Sequence, residues 1–259
     1  MKKRPSADWT RKTYVTYGDL IFDILTAPKS IYESTPEQVG FINSILERYS
    51  PKAERILDVP CGDGRISLGL LKKGYLVTGV DISPGYIKKA KLKAKGNKRA
   101  KFAVGDMRKI DYEDEFDAVI NWFGSFGYFD DEQNQEVLRR LINSLTKKGI
   151  LIIDVTNRDY IIQTMGGFYE WQPEVLLSKG KKKLFGKYEL DPFTSRIEVT
   201  LRIKDTKKKI YYSMRCYSLH ELASMLKKQG MKIVEVYGDY KGEGYSFFSP
   251  RLTVVAQIR

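Results

Sequence analysis

The chain has 259 residues, 42% hydrophobic and 12% aromatic, with 45 Lys and Arg against 32 Asp and Glu and a formal net charge of +13. That is enough apolar material to bury a core as one domain with an insertion, while no apolar run approaches the roughly 18 residues that span a bilayer, so no membrane partner is expected. The two cysteines, Cys61 and Cys216, lie far apart and form no metal-type pair, so neither a disulfide framework nor a zinc or iron–sulfur site is suggested, and radical chemistry built on three clustered cysteines is excluded.

The N-terminus, MKKRPSADWTRK, runs into Asp8 and Trp9 rather than an apolar signal segment, so a cytoplasmic location is the default expectation. No fixed-period repeat appears, and the first 50 residues carry a coherent helical pattern from Pro36 to Tyr49. Arg55 to Val59 (RILDV) is a short apolar run closed by Pro60, Cys61 and Gly62, the pattern of a buried strand entering a glycine turn. A helix through Ile66 to Lys73 follows and stops at Gly74. The next strand, Leu76 to Val80, ends at Asp81, and Ser83 and Pro84 stand as N-cap and first residue of a helix reaching about Lys95. Lys101 to Val104, Phe116 to Trp122 and Ile150 to Val155 repeat the alternation, and strands separated by helices imply a parallel sheet.

From about Gly167 the period changes. Ile197, Val199, Leu201 and Ile203 alternate with polar neighbours, as do Ile210, Tyr212, Met214 and Cys216 across the turn-like KDTKKK, which predicts an inserted antiparallel hairpin serving as lid or interface. A helix over Leu219 to Gln229 and two strands, Met231 to Tyr237 and Leu252 to Ile258, close the chain. The predicted fold is a doubly wound, mostly parallel seven-stranded sheet. Its expected parts are a helical lid over 1–50, a main domain over 51–166 and 218–259, and the insertion over 167–217.

Gly62 and Gly64 stand where a strand-to-helix turn brings backbone close to a nucleotide-like ligand. Asp81 ends the next strand, where a carboxylate accepts bonds from ribose hydroxyls, and Asp106 ends the third. A nicotinamide dinucleotide fits these features less well. Ser67 occupies the place of that motif's third glycine, and Asp58 would set negative charge beside a pyrophosphate, whereas it favours the ammonium of a zwitterionic sulfonium ligand.

The successive segments LDVPCGDGR, VTGVDIS, FAVGDMR, FDAVINWFGSFGYF and KKGILIID resemble the motifs of the class I S-adenosylmethionine methyltransferases, and VEVYGDY with SPRLTVVAQIR resembles that family's closing strands. The resemblance implies that Cys61, Gly62 and Gly64 form the cofactor turn, Asp58 meets the methionine amino group, and Asp81 holds the ribose. It also implies that Asp106 and Met107 face the adenine, Ile82 packs on its ring, Asn121 sits beside the cofactor near the methyl group, and Tyr14, Tyr17 or Tyr32 close the site. Plainer roles stay open: a turn cap for Asp106, core for Ile82 and Met107, a strand end for Asn121. S-adenosyl-L-methionine is the expected cofactor, with no metal.

On the acceptor side the aromatic loop offers Trp122, Phe123, Phe126 and Tyr128 for packing or for cation–π contact with a sulfonium, and His220 is the single histidine, a base or a helix cap. Cys61 lies in the cofactor turn rather than after the fourth strand, unlike the nucleophile of cytosine-C5 methyltransferases. Asn121-Trp122-Phe123-Gly124 lacks the Pro-Pro-aromatic core of exocyclic-amine enzymes. A small or medium-sized acceptor is favoured, by similarity of the GDMR and FGSFGY segments to small-molecule methyltransferases. The lysine runs 181–183 and 207–209 keep nucleic acid open as a partner, or are simply a solvated, heat-adapted surface. A non-catalytic cofactor-binding protein, and a homodimer through the hairpin, also stay open.

Overall fold

The computed structural model describes residues 9–18, 30–165, 168–171, 174–177, 180–204, 206 and 209–259. Two short helices, α1 (Trp9–Arg11, continued by a π-helical turn Lys12–Thr16) and α2 (Ser30–Glu33), precede α3 (Thr35–Tyr49). The main domain then alternates β1 (Arg55–Asp58), α4 (Arg65–Lys72), β2 (Leu76–Asp81), α5 (Pro84–Ala94), β3 (Ala100–Val104), β4 (Phe116–Asn121), α6 (Asp131–Asn143), β5 (Leu145–Thr156) and α7 (Arg158–Met165). After the insertion come α8 (Leu219–Lys228), β11 (Met231–Tyr237) and β12 (Arg251–Ile258). Seven strands form one sheet in the order β11-β12-β5-β4-β1-β2-β3, and only β12 runs against its neighbours.

The period of two in these strands feeds two cores. Leu57, Val119 and Leu151 point to one face and pack with Leu138, Leu141 and Leu226, while Ile56, Ile120 and Ile152 point to the other and meet Ile42, Leu46 and Leu70. The helix α3 therefore belongs to the core of the main domain, although the sequence assigned it to a lid. Residues 1–8 and 19–29 of that expected lid lie outside the described residues. Among the described residues no helix is long and apolar enough to cross a membrane, and no cluster of three or more His, Cys, Asp or Glu is arranged to hold a metal.

The insertion is larger than a hairpin. β6 (Phe168–Trp171), β7 (Glu174–Leu177), β8 (Gly180–Asp191), β9 (Arg196–Ile203) and β10 (Lys209–Arg215) make an antiparallel sheet in which β8 pairs with β9, β6 and β7. The extra strands follow from a second alternation, Leu184, Gly186 and Tyr188, all buried on one side of β8. That apolar face is not left open for a second copy. Ile197, Val199, Leu201, Ile210 and Met214 pack within the chain, against Ile161 and the rings of Tyr14, Tyr17 and Tyr128.

The insertion is tied to the loop after β4. Arg215 N–H donates to Gly127 O (2.7 Å), and the Arg196 guanidinium donates to the carbonyls of Phe129 (2.7 Å) and Tyr128 (3.1 Å). Gly127 has φ +113°, and a Cβ there would lie 2.2 Å from Arg215 O. Gly127→Ala should therefore cost about 3 kcal/mol, from backbone strain plus collision with a rigid carbonyl. Gly242→Ala, at φ +92° with open space around it, should cost about 1 kcal/mol. Denaturation midpoints of the two variants measure the difference, and equal losses would contradict the role assigned to Gly127.

Candidate functional site

The carboxyl ends of β1, β2 and β4 open into a cavity of about 370 Å³, within the range of small-molecule sites. At one end the turn after β1 bends back through Gly62 (φ +56°) and Gly64 (φ +82°) into α4. Asp81 fixes that bend by accepting Gly62 N–H on one oxygen (2.9 Å) and Ser83 N–H on the other (2.8 Å), which also shapes the entry to α5. Each oxygen keeps a second lone pair, so the buried carboxylate is able to receive two vicinal hydroxyls. Burial lifts Asp81 to about 6 against the Ser83 and Gly62 N–H bonds.

Asp58, at the end of β1, is buried and accepts Ser67 Oγ at 2.5 Å. Burial raises it to about 7, outweighing the Ser67 bond and the nearby positive charge of Arg65. An ammonium brought into the cavity would relieve that cost directly. Asp63 is held by Tyr32 (2.7 Å) and Lys93, and Asp106 by the fork of Arg108. Burial works to raise Asp106, but the Arg108 bonds hold it below the usual carboxylate range.

The lining that the loop after β4, the insertion and the N-terminal segment contribute is mainly aromatic and carries no charged side chain. Tyr128, Ser125 and Phe129 from the loop after β4, Leu201, Tyr212 and Met214 from the insertion, and Thr10 and Tyr14 from the N-terminal segment belong to it. Tyr14 donates to Tyr128 at 2.8 Å, Trp9 meets Tyr128 edge-on at 5.6 Å, and Thr13 donates to Tyr211 O at 2.6 Å, so the segment 9–18 is pinned across β10 and the loop. Burial pushes both Tyr14 and Tyr128 above the ordinary phenol range.

The residues singled out in the sequence divide by position. Asp58, Cys61, Gly62, Asp81, Ile82, Asp106, Met107, Trp122, Tyr128, Tyr14 and Tyr32 line the cavity. Gly64 caps α4 and packs against Ala90 and Phe102, Asn121 turns back to donate to Val59 O (2.8 Å), and Phe126 is buried in the core against Tyr217, so these three stand behind the wall. Tyr17 packs on the insertion. His220 is exposed in the first turn of α8, away from the cavity. Cys61 is buried among Ile87, Ala90 and Phe102, and burial raises its thiol well above normal, which leaves it unreactive. Sequence reasoning missed Arg65, Asp154 and Arg251. The signal for Asp154 was an acid inside the otherwise apolar run ILIIDV, whereas its partner Arg251 lies 97 positions away and has no local signature.

A methyltransferase-domain family model matches residues 56–149. The chain is 28% identical to the methyltransferase-like protein YqeM of Bacillus subtilis (strain 168) over 224 residues, 82% of this chain and 87% of that one. It is 30% identical to glycine N-methyltransferase of Rattus norvegicus over 146 residues, 50% of this chain and 49% of that one. Among solved structures, the sugar N-methyltransferase KedS8 of a Streptoalloteichus species superposes with a TM-score of 0.68 at 20% identity, covering 89% of this chain and 92% of that one.

The buried, raised acids set a pH dependence. A carboxyl whose folded pKa exceeds its unfolded value binds its proton more tightly when folded, so its contribution to stability is present below about pH 4 and is lost as the pH rises through about 7. Asp58→Asn should therefore stabilise the ligand-free protein at pH 8 by a few kcal/mol, on the order of 1.4 per pKa unit, with little gain at pH 4. The same change should weaken cofactor binding. Thermal midpoints and calorimetric titrations at the two pH values check both, and destabilisation at pH 8 would refute the reading. The methyltransferase domain matched over residues 56–149, the sheet order, the cavity at the strand ends and the relatives together support a class I S-adenosylmethionine-dependent methyltransferase.

Proposed function

We propose that the enzyme methylates the nitrogen of a small, neutral amine held in the aromatic end of the cavity. The observation that carries this reading is the chemistry of the lining that the loop after β4, the insertion and the N-terminal segment contribute: among the described residues it is tryptophan, tyrosine, phenylalanine, methionine, leucine, serine, threonine and glycine, without a histidine or carboxylate. A hydroxyl acceptor needs a group to take its proton, and Tyr14 and Tyr128, raised by burial, stay protonated at neutral pH. An amine already carries the attacking lone pair. It needs only alignment and exclusion of water, and it can lose its proton to solvent after transfer.

S-adenosylmethionine supplies a methyl carbon made electrophilic by a positive sulfur. The chain's own residues then have positioning tasks. The Tyr14–Tyr128 hydroxyl pair, 2.8 Å apart, orients an acceptor through its neighbouring polar groups, and the segment 9–18 with β9 and β10 screens the reacting atoms from water. Asp58 and Asp81 hold the ligand's ammonium and ribose, with Ile82 and Met107 against the adenine. The names of two relatives, a glycine N-methyltransferase and a sugar N-methyltransferase, agree with an amine acceptor. The net charge of +13 speaks weakly for RNA, because the insertion, the N-terminal segment and the loop after β4 contribute no charged side chain to the cavity lining.

Transfer of labelled methyl groups to a panel of amino sugars, amino acids, their hydroxyl analogues and bulk tRNA tests the proposal. Label should enter amines only, with kcat/KM rising with pH and levelling at the acceptor's own amine pKa. Tyr128→Phe should lower kcat/KM by about tenfold, the loss of one hydrogen bond near the reacting centre. Label in tRNA, or in hydroxyl compounds alone, would overturn it.

A further inference from the structure

The strand ends beyond β4 carry a polar pair that the cofactor assignment leaves unused. Thr156, the last residue of β5, and Arg251, the first of β12, are register partners across the antiparallel ladder and both line the cavity. Directly opposed residues put their side chains on one face of a sheet. Asp58 and Asp81 end β1 and β2, and Asp106 follows β3. The order β12-β5-β4-β1-β2-β3 therefore sets β4 between the pair and these three acids, at about 4.8 Å per strand.

Each member of the pair has an open hydrogen-bonding position. Arg251 donates through Nε and Nη2 to Asp154, and among the described residues its Nη1 makes no hydrogen bond. The Thr156 hydroxyl makes none either. Gly124 keeps both uncovered: a Cβ there would lie 3.3 Å from Thr156 Oγ1, 3.7 Å from Arg251 Nη2 and 4.0 Å from Met214 Sδ, so a larger residue would lie over the hydroxyl and the guanidinium. The guanidinium is held by Asp154 and by the rings of Phe123 and Tyr240, whose centres are 5.6 and 5.8 Å away. Its open nitrogen thus has a fixed direction.

Charge decides what such a pair takes. Burial works to lower the pKa of Arg251, but the fully buried Asp154 more than offsets it, so the positive charge is already matched. A carboxylate placed there would add a second negative charge to a neutralised guanidinium, at a desolvation cost. An alcohol fits both partners, because its oxygen accepts from Nη1 while its proton is donated to Thr156 Oγ1. We propose that Arg251 Nη1 and Thr156 Oγ1 hold a hydroxyl group of the methyl acceptor, which makes the acceptor an amino alcohol and Thr156 a residue that selects for it. The inference rests on the amine reading of the acceptor.

Transfer of labelled methyl groups to cyclohexylamine, to the positional isomers of aminocyclohexanol and to the matching aminocyclohexane carboxylates tests the subsite. The wild type should favour one aminocyclohexanol over cyclohexylamine by about tenfold in kcat/KM, the worth of a hydrogen bond to a charged donor. Thr156→Val, which keeps the side-chain shape, should remove most of that preference and leave the rate with cyclohexylamine unchanged, which also reports an intact fold. Thr156→Ser should restore the preference. Equal rates for cyclohexylamine and every aminocyclohexanol, a preference for a carboxylate, or an equal loss on all amines in Thr156→Val would overturn the subsite while sparing the amine reading. Label in none of the amines would sink the amine reading and the subsite with it.

Discussion

The site depends on one buried carboxylate outside the cavity, Asp154 near the end of β5. It is fully buried and receives five hydrogen bonds: two from Arg251, and one each from Thr253 Oγ1 (3.0 Å), the Tyr240 hydroxyl (3.0 Å) and Phe123 N–H (2.9 Å). Its carbonyl also accepts Gly124 N–H at 2.9 Å. A buried ion pair is weak evidence for stability, since desolvation offsets most of the attraction, but it is strongly directional. Here the direction matters. Phe123 and Gly124 both sit at positive φ, +61° and +75°, a conformation that a phenylalanine adopts only when surrounding bonds over-determine it. Asp154 thus sets where the chain leaves β4, and hence where Trp122, Phe123, Ser125 and Tyr128 meet the cavity. It also anchors β12, the one reversed strand, to the middle of the sheet through Thr253 and Arg251.

Around that anchor, charge is sorted. Asp106 is matched by Arg108, Asp63 by Lys93 and Arg251 by Asp154, so those groups are satisfied by the protein itself. Asp58 and Asp81, raised by burial, and Arg65, lowered by it, are the lining groups whose charge the protein leaves under-compensated. A site in which most charges are closed off by neighbours and a few are not offers a ligand a small number of strong contacts, and it accepts a stability cost in the empty state to do so. The lining from the insertion, the N-terminal segment and the loop after β4 follows the opposite rule. Its polar atoms are mainly phenols and hydroxyls, which orient without titrating near neutral pH.

Much of this was legible in the sequence wherever the determinant is local. RILDV, the glycine turn and Asp81 fall within one βαβ unit, and the structure gives β1, β2, α4 and α5 nearly at the bounds read from apolar runs, the Ser83 cap and Gly74. The insertion was only half legible. β9 and β10 announced themselves by alternation, but β8 begins with lysines, which mask a period of two carried by Leu184, Gly186 and Tyr188, and β6 and β7 are four residues each, too short for a pattern. Phe126 shows the opposite limit. It stands in an aromatic run whose members look equivalent in sequence, and only the turn geometry at Gly124 and Gly127 sends it into the core while Tyr128 faces the cavity. Arg65 was in view in the segment GDGR, yet nothing in one dimension shows that its fork lacks a partner.

The two ends of the cavity are built by different parts of the chain, and that division bears on how one fold serves many acceptors. The part of the lining at the glycine turn is made by the turns of the parallel sheet, whose geometry is imposed by strand spacing and by bonds such as Gly62 N–H to Asp81. The rest, where the proposed acceptor would lie, is made by the insertion, the N-terminal segment and the loop after β4, held to one another by side-chain bonds from Arg196, Thr13 and Tyr14. Substitution on the inward face of β9 or β10, at Leu201, Tyr212 or Met214, reshapes the acceptor end without touching a backbone bond of the sheet. Specificity for the acceptor can therefore vary on this scaffold while Asp58, Asp81 and the glycine turn stay fixed, because the two sets of contacts share a cavity but few supports.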